Sequence, residues 1–346
     1  MIINRAAFMT GLGQMEIREI EMPKPKPHEV IVKLEYCGIC GSDVHYYENG
    51  RIGDFVVEGD FILGHECAGV VVETGSAVTE LSVGDRVCLE PGITCGQCEF
   101  CKSGKYNLCP AVEFLATPPY HGAFRDYLAF PENMCFKLPA NVTTLEGALV
   151  EPLSVGLHAA RQGSVTLGST VVILGAGCIG LCTLLACRAY GATNVIVVDV
   201  LENRLAAAYK LGATHVINAA EHDAVAYIDE LTNGRGADVV VETAGAVVTV
   251  QQTSYLVKRG GTIVLVGMAP QDTIEFNFAK ILAKEAQIQS VFRYRNLYPT
   301  AIQALASGMI DLKGIVTHQF EFDALQEALD FVTSNKRDVV KAIIKF

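Results

Sequence analysis

The sequence lacks an excess of basic residues, a secretory signal, and any low-complexity or repeated segment. Its 346 residues include 27 lysines and arginines against 38 aspartates and glutamates, which gives a formal net charge of -11. This balance disfavours binding that depends on neutralising many phosphates, so we expect no nucleic-acid partner. The first fourteen residues contain no long apolar core followed by a cleavage site, which predicts a cytoplasmic protein.

Charged side chains are also missing from residues 162–187, a stretch long enough to imitate a transmembrane helix. Five glycines interrupt this stretch. Its segment 170–174 is an apolar run rich in β-branched residues, whereas 179–190 has the apolar density of a helix. The sequence therefore predicts a buried strand that turns into a helix, and no membrane association.

Length and patterning predict two domains, because a domain usually contains roughly 150 residues. The first 150 residues or so carry short strand patterns typical of a β-rich barrel or sandwich, at 29–34, 69–72, 86–89 and 124–130. Strand and helix patterns then alternate, with strands at 170–174, 194–198, 215–217, 238–241, 262–266 and 288–292 and helices at 179–190, 202–211, 223–231 and 247–257. This alternation predicts a doubly wound parallel sheet. Two further helix patterns, 299–307 and 323–333, and a strand pattern, 339–344, are compatible with a return to the first domain.

Twelve cysteines stand out in a chain expected to be cytoplasmic, where thiols serve more often as metal ligands or catalysts than as disulfide partners. Four of them fall within fifteen residues, at the short spacing of a loop that wraps one metal ion: Cys95, Cys98, Cys101 and Cys109. Four thiolates suit a tetrahedral structural zinc with no open position. An iron–sulfur cluster or four unliganded thiols are the alternatives, although the last spacing differs from that of cluster-binding runs.

A glycine motif lies between the predicted strand 170–174 and the helix that follows. Gly175, Gly177 and Gly180 form G-x-G-x-x-G, and Asp199 ends the next predicted strand nineteen residues later. Such glycines allow backbone N–H groups to approach a pyrophosphate, while the carboxylate binds ribose hydroxyls. Because a carboxylate repels a 2′-phosphate, NAD is favoured over NADP, and Arg204 is expected to contact the adenine or the ribose.

A second set of possible metal ligands is scattered along the first domain. Cys40 forms a C-x-x-C with Cys37, which fits a redox pair or two half-buried thiols equally well. His65 and Glu66 are adjacent, but no second histidine follows at helical spacing, so a zincin-type site is excluded. Glu151 precedes a proline. Taken singly, these residues assign no function.

Taken together, these features resemble the zinc-containing medium-chain alcohol dehydrogenases, and the resemblance covers the whole chain. The polyol dehydrogenase branch is the most similar, on the segments 37–46 (CGICGSDVHY), 49–53 (NGRIG), 63–67 (LGHEC), 114–119 (FLATPP), 151–156 (EPLSVG) and 291–294 (VFRY). The resemblance implies an α/β fold in which a Rossmann doubly wound parallel sheet is inserted into a β-rich GroES-like catalytic domain. The implied limits are 1–153 for the first part of the catalytic domain, with a structural-zinc lobe at 90–112, then 154–292 for the NAD-binding domain and 293–346 for the return segment.

The resemblance also implies the functional residues. A catalytic zinc would be held by Cys40, His65 and Glu66, with Glu151 near the metal directly or through water, and Ser42 and His45 match the family's proton relay. The residues implied to bind the polyol are Tyr46, Phe114, Thr117, Glu151, Arg293 and Tyr294. Those implied to bind the cofactor are Gly175, Gly177, Ile179, Gly180, Asp199, Arg204, Val266, Gly267, Met268, Val291, Phe292 and Arg293. The seven remaining cysteines are expected to be small buried hydrophobes.

The reaction implied by the resemblance is oxidation of sorbitol, xylitol or a related alditol at C2 to a ketose, with NAD as the hydride acceptor and two zinc ions per chain. The implied partner is a small-molecule substrate, and the chain is expected to form a homo-oligomer, a dimer or a tetramer. Two alternatives are a sugar-alcohol phosphate dehydrogenase and a zinc-stabilised cofactor-binding protein without catalysis.

Overall fold

The computed structural model describes residues 3–269 and 271–346. Its strands are β1 (Asn4–Gly11), β2 (Gln14–Ile20), β3 (Glu29–Ile39), β4 (Arg51–Ile52), β5 (Phe55–Val56), β6 (Glu66–Thr74), β7 (Arg86–Leu89), β8 (Gly92–Ile93), β9 (Glu113–Phe114), β10 (Tyr127–Pro131), β11 (Cys135–Lys137), β12 (Thr170–Leu174), β13 (Asn194–Asp199), β14 (His215–Asn218), β15 (Ala237–Glu242), β16 (Val257–Leu265), β17 (Gln287–Ser290), β18 (Val316–Glu321) and β19 (Lys341–Lys345). Its α-helices are α1 (Gly41–Asn49), α2 (Glu99–Lys102), α3 (Thr144–Ala148), α4 (Val150–Gln162), α5 (Cys178–Ala189), α6 (Glu202–Lys210), α7 (Ala224–Leu231), α8 (Val247–Leu256), α9 (Phe278–Lys284), α10 (Tyr298–Ala306) and α11 (Leu325–Ser334).

The chain folds into two compact units. The first comprises Met1–Glu151, Tyr298–Ser307 and Val316–Phe346, and the second comprises Pro152–Leu297 and Gly308–Ile315. The segment 308–315 interrupts the return to the first unit and packs against the second. Gly314 lies so close to Leu211 that an added methyl group would be 3.0 Å from the leucine side chain. The domain limits drawn from the sequence, 153/154 and 292/293, fall close to these boundaries and stay a prediction.

A seven-stranded sheet organises the first unit, in the order β11-β7-β6-β3-β19-β18, with β10 also paired to β3. The central strand β3 has only one exposed residue, Lys33, as its apolar sequence EVIVKLEYCGI leads one to expect. It pairs antiparallel with both β6 and β19. The C-terminal strand β19 therefore lies beside β3. Side chains of β3 form the centre of the hydrophobic core of this unit.

A six-stranded sheet organises the second unit, in the order β14-β13-β12-β15-β16-β17, with every neighbouring pair parallel. This is the doubly wound order in which the chain reverses direction across the sheet between β12 and β15. Leu174, at the end of β12, pairs with Val198 on one side and Glu242 on the other. The carboxyl ends of three strands therefore meet at one edge, and the predicted fold class is confirmed.

The charge-free stretch 162–187 forms a strand and a helix, as predicted. β12 and α5 are separated by three residues, 175–177. Among the described residues, every helix is too short or too polar to serve as a transmembrane segment.

Several predicted elements differ in their limits. The strand predicted at 124–130 begins only at Tyr127, because the backbone N–H of Phe124 bonds to Leu63 O instead of to β3. The strand predicted at 339–344 begins at Lys341, since the Val339 N–H closes a turn on Asn335 O. The hairpin of β1 and β2 had no counterpart among the sequence predictions.

Candidate active site and zinc sites

The first candidate metal site forms where β3 passes into α1. Cys40 follows the last residue of β3 and takes an extended conformation at the amino end of α1. The fully buried Asp43 carboxylate accepts hydrogen bonds from Cys40 N at 2.8 Å and from Gly64 N at 2.9 Å. A single carboxylate in the first helical turn therefore joins the Cys40 segment to the segment that carries His65 and Glu66.

Cys40, His65 and Glu66 each offer one ligand atom, and these atoms all lie within 4.8 Å of one another. Sulfur, nitrogen and oxygen donors are the set that zinc binds, and three of them leave one tetrahedral position open. The buried His65 Nδ1 lies 3.7 Å from Asp43 Oδ1, which is too long for a hydrogen bond, and it has no hydrogen-bond partner among the described residues. The donor set and this orphaned ring nitrogen fit a zinc ion.

Electrostatics at His65 favour a positive charge at this point. Burial lowers the pKa of the ring, but the negative charges of Asp43 and Cys40 outweigh burial and hold the pKa well above its usual value. A zinc cation can take the place of that proton.

Glu66 has a buried cationic partner that the sequence analysis missed. The Lys341 ammonium donates to both Glu66 carboxylate oxygens, at 2.7 and 2.8 Å, and to Ile39 O at 3.0 Å. Glu66 on β6 is the strand partner of Gly38 on β3, where an added Cβ would lie 1.9 Å from Glu66 Oε2. On the other side of β3, Gly38 pairs with Ile343 of β19, two residues after Lys341. The glycine thus leaves space for the ion pair. The sequence did contain one indication of this partner, namely a lysine at the start of the apolar segment KAIIKF, where a buried charge needs a counterion.

The other predicted residues of the first unit occupy several positions around this cluster. On α1, Ser42 is half-buried, His45 is exposed and Tyr46 is buried. The Phe114 ring centroid lies 5.8 Å from that of His65, and Thr117 is half-buried three residues further on, with its N–H bonded to Phe114 O. The structure therefore brings Phe114 next to a candidate ligand.

Glu151 is buried in the first turn of α4 and does not belong to the described three-residue cluster of ligand atoms. Its charge acts on Cys67 and on Glu90. Glu90 was not predicted from the sequence: burial raises its pKa to about 7, opposed by a 2.7 Å hydrogen bond that it accepts from Tyr106. The role of Glu151 toward a metal stays a prediction.

The four-cysteine lobe forms a second cluster around α2. The Sγ atoms are 3.4 Å apart for Cys98 and Cys101, 3.5 Å for Cys95 and Cys109, and 3.9 Å for Cys95 and Cys101. Thiolates at about 2.3 Å from one tetrahedral zinc are about 3.8 Å apart. Backbone N–H groups of Gln97 and Cys98 lower the pKa of Cys95 to about 6, which favours the thiolate. The donor set fits one zinc ion, whereas thiolates on separate irons of a cluster would stand further apart.

The remaining cysteines do not support a redox pair. Six are buried: Cys37, Cys67, Cys88, Cys135, Cys182 and Cys187. Burial raises the pKa of the Cys37 thiol well above its usual value, so it stays protonated and unreactive. The prediction that all seven are buried is wrong for Cys178, which is half-buried at the start of α5.

The glycine motif turns the chain from β12 into α5. Gly175 has φ of 102°, and a Cβ on Gly180 would lie 1.9 Å from Gly175 O, so both positions require glycine. Gly177 precedes α5 and faces open space, with Arg204 Nη1 3.9 Å from the position of its missing Cβ. Ile179 is half-buried in the first turn. The loop thus presents a helix amino end that fits a pyrophosphate, with Arg204 beside it.

Asp199 ends β13, and its side chain bonds to the backbone of two segments. Its carboxylate accepts hydrogen bonds from Ala176 N at 2.7 Å, Val200 N at 2.8 Å and Leu201 N at 3.0 Å. The bond to Ala176 ties the glycine loop to the neighbouring strand. The two parts of the predicted dinucleotide site therefore lie together and are joined by a hydrogen bond.

The other residues predicted for the cofactor lie after β16 and β17. Glu242, which was not predicted, accepts from Val266 N and Gly267 N through its carbonyl oxygen. Its buried carboxylate accepts from Ala244 N, Gly245 N and the Thr249 hydroxyl.

The remaining predicted residues lie on the two segments that follow β16 and β17. Met268 is exposed, and Val291 N donates a hydrogen bond to Leu265 O. The Arg293 guanidinium lies 4.8 Å from the centroid of the Phe292 ring. Arg293 and the buried Tyr294 belong to the second unit, whereas Tyr46, Phe114 and Thr117 belong to the first.

Family comparisons place both units among known proteins. The alcohol dehydrogenase GroES-like domain matches residues 26–140, and the zinc-binding dehydrogenase domain matches residues 178–307. The chain is 51% identical to an uncharacterised zinc-type alcohol dehydrogenase-like protein of Escherichia coli, with 99% of each chain covered.

The chain belongs to the zinc-type medium-chain alcohol dehydrogenases.

Sorbitol dehydrogenases are among the similar proteins of this family. That of Bacillus subtilis is 46% identical, with 98% of this chain and 96% of the relative covered, and that of Bos taurus is 43% identical, with 99% and 96% covered. The resemblance stated from the sequence motifs is therefore confirmed.

Solved structures of zinc-type dehydrogenases share the whole fold. An Escherichia coli oxidoreductase of unknown specificity superposes with a TM-score of 0.96 at 50% identity, covering 99% of each chain. A zinc-binding dehydrogenase of Sinorhizobium meliloti bound to NADP has a TM-score of 0.89 at 31% identity, covering 100% of each chain. An Escherichia coli alcohol dehydrogenase bound to NADH has a TM-score of 0.92 at 28% identity, covering 99% of each chain. The family thus contains structures with either dinucleotide.

Proposed function

We propose that this chain is a zinc- and NAD-dependent polyol dehydrogenase that oxidises sorbitol, xylitol or a related alditol at C2, giving a ketose such as fructose or xylulose. The observation that carries the proposal is the convergence of one sulfur, one nitrogen and one oxygen donor from Cys40, His65 and Glu66, with a fourth tetrahedral position open. The similarity to sorbitol dehydrogenases supports the polyol class.

When bound, zinc supplies Lewis acidity that lowers the pKa of a hydroxyl group, and NAD supplies the hydride acceptor. The carbinol carbon loses a hydride and its hydroxyl loses a proton, so a carbonyl group forms as NAD becomes NADH. Asp43 holds the Cys40 segment, and Lys341 holds the Glu66 carboxylate against β3. These contacts orient the donors before substrate arrives.

Ser42 and His45 are proposed to carry the proton away. They are three residues apart on α1, so their side chains share one face of the helix. Ser42 is half-buried and His45 is exposed, which gives a route from the Ser42 hydroxyl toward solvent. Glu151, buried in α4, is the alternative proton acceptor.

Polyol selectivity is proposed to come from hydrogen bonds. A site built to bind several hydroxyls leaves its own polar groups unpaired when a simple alcohol enters, so ethanol should be a poor substrate. The proposed hydroxyl-binding residues are Tyr46, Thr117, Arg293 and Tyr294. Phe114, whose ring lies beside His65, is the proposed apolar wall.

NAD is proposed as the preferred dinucleotide because the Asp199 carboxylate, fixed by three backbone N–H groups, would repel a 2′-phosphate. The pyrophosphate would lie at Gly175, Gly177 and Gly180, with Arg204 at the ribose. Cys95, Cys98, Cys101 and Cys109 would hold a second zinc that stabilises their lobe and offers no open position.

The test is a substrate panel. The zinc-loaded protein is incubated with NAD and with sorbitol, xylitol, L-iditol, galactitol 1-phosphate, 2,3-butanediol or ethanol, and NADH absorbance is followed. We expect the unphosphorylated alditols to give the highest kcat/KM, with ethanol lower by at least about a hundredfold. No turnover of any alditol by protein that contains two zinc ions would overturn the proposal, and preference for the phosphate ester would replace it with a sugar-alcohol phosphate dehydrogenase.

We further propose that the chain assembles as a homo-oligomer, a dimer or a tetramer, as the resemblance to the family implies. Light scattering after size-exclusion chromatography measures the mass directly. A monomer at micromolar concentration would contradict this proposal without affecting the assignment of the active site.

A further inference from the structure

A cavity of about 600 Å³ lies in the second unit, at the amino ends of β15 and β16. The dinucleotide motif follows the carboxyl end of β12, at the opposite edge of the same parallel sheet. The charged residues lining the cavity are Asp229, Arg235, Lys258, Arg259, Lys280 and Lys284, and we call it the amino-end pocket. Five cationic side chains thus face one carboxylate, in a chain whose net charge is -11.

A bulge in β16 places two of these cations. The register with β15 passes from Ala237↔Val257 directly to Val239↔Thr262, so residues 258–261 are an insertion opposite Asp238. Lys258 and Arg259 are on this insertion. An irregular segment of the sheet therefore forms part of the pocket wall.

Part of this positive charge is neutralised within the protein. The Asp238 carboxylate forms an ion pair with Arg235 at 2.6 Å and another with Lys258. Arg259 Nη1 donates a hydrogen bond to Ala283 O at 2.7 Å. Among the described residues this is the hydrogen bond of its guanidinium group, so the other N–H donors can bind a ligand. The Lys280 ammonium lies 4.5 Å from the centroid of the Tyr255 ring. Arg259 and Lys280 are therefore the cations best placed to bind an anion.

Lys284 lines the same pocket as Arg259 and Lys280, and its ammonium group is held in place. Its ammonium donates to the carbonyl oxygens of Ser254, Tyr255 and Val257, at 3.0, 2.8 and 2.5 Å, and these three bonds use all of its N–H groups. Burial, followed by repulsion from Lys280 and Arg259, lowers its pKa, and the nearby Asp229 carboxylate opposes this shift. An anion bound near these cations would reduce their mutual repulsion.

We propose that the amino-end pocket binds a phosphorylated small molecule with two or more negative charges, at a site separate from the proposed active site. The planar guanidinium of Arg259 can bind a phosphate through two parallel hydrogen bonds, and Lys280 can bind as a point charge. The volume is that of a small-molecule site. A nucleic acid is the poorer occupant because the cationic region is one cavity on an acidic protein.

The test uses the zinc-loaded full chain with saturating NADH, so that the dinucleotide site is filled. Glucose 1,6-bisphosphate is titrated by calorimetry, with glucose and with sulfate at equal ionic strength as controls. We expect the bisphosphate to bind at least about tenfold more tightly than sulfate, and glucose not to bind at this pocket.

Variants then locate the site. Arg259→Gln and Lys280→Gln should each weaken bisphosphate binding about tenfold, because each removes a charge-assisted hydrogen bond. Lys210→Gln, an exposed lysine at the end of α6 in the same unit, should change the dissociation constant less than twofold. Turnover and thermal unfolding without the bisphosphate show that each variant is folded. Binding no tighter than that of sulfate, or equal binding by all three variants, would overturn the proposal.

Discussion

At the scale of single residues, the Glu66–Lys341 pair is the most strongly buried charge pair of the candidate active site, with side chains 1% and 4% exposed. Removing one partner of a buried pair leaves an uncompensated charge, which is strongly destabilising. In chelator-treated protein we expect Lys341→Met to lower the free energy of unfolding by about 3–5 kcal/mol, measured in urea.

The matched control for that variant is Lys345→Met on the same strand. Lys345 is 44% exposed and lies 3.5 Å from Glu321, and such a surface pair contributes less than about 1 kcal/mol. If the two variants unfolded at the same urea concentration, the Glu66–Lys341 pair would have no special role.

Glu90 makes stability depend on pH. Burial raises its pKa from the ordinary value of 4.5 to about 7 in the folded chain, so the folded protein holds a proton that the unfolded chain has lost between these values. The stability contributed by the protonated carboxyl is complete below pH 4.5 and is lost as the pH rises through 7. A shift of this size corresponds to about 3 kcal/mol.

Glu90→Gln should keep the hydrogen bond from Tyr106 and remove the titration. We therefore expect the variant to gain stability relative to the wild type by up to about 3 kcal/mol between about pH 4.5 and pH 8, measured as the difference in free energy of unfolding at each pH. A difference that stays constant over this range would show that Glu90 titrates normally.

At the scale of elements, the end of β13 combines selectivity with stability. Asp199→Ala should lower the ratio of kcat/KM for NAD over NADP by at least about tenfold, because the repulsion of a 2′-phosphate is lost. It should also destabilise the glycine loop, since Ala176 N loses its acceptor.

Asp223→Ala separates these two effects. Asp223 caps α7 in the same unit by accepting from Val225 N and Ala226 N, so its loss should cost about 1 kcal/mol of stability and leave the cofactor ratio unchanged. An unchanged ratio in Asp199→Ala would remove the main support for NAD preference.

At the scale of the whole molecule, the two clusters of metal ligands predict two zinc ions per chain. Metal analysis should find one zinc in Cys40→Ala, with turnover abolished and NAD binding kept, and one zinc in Cys109→Ala, with a lower unfolding temperature. Cys178→Ala is the control and should keep both ions, because its half-buried thiol belongs to neither cluster. Two zinc ions in either of the first two variants would contradict the assignment of that site.

Much of this organisation was predictable because it depends on local spacing. The four cysteines of the lobe, the glycine motif with Asp199 and the alternation of strands with helices are each contained in a short stretch of chain. Metal geometry, phosphate binding and βα packing act over that same range, so the residue pattern carries the physical requirement with it.

Other parts were decided only by the tertiary structure. Lys341 is 275 positions from Glu66, and no local pattern shows that β19 and β6 flank the same glycine of β3. Asp43 and Glu90 likewise depend on other segments of the chain, because Asp43 accepts from Gly64 N and Glu90 accepts from the Tyr106 hydroxyl. The sequence by itself determined which chemical groups are present and which short motifs they form. Only the packing of distant strands decided which buried charges meet, because burial and partner distance set the energy of a charge and neither is encoded within a single element.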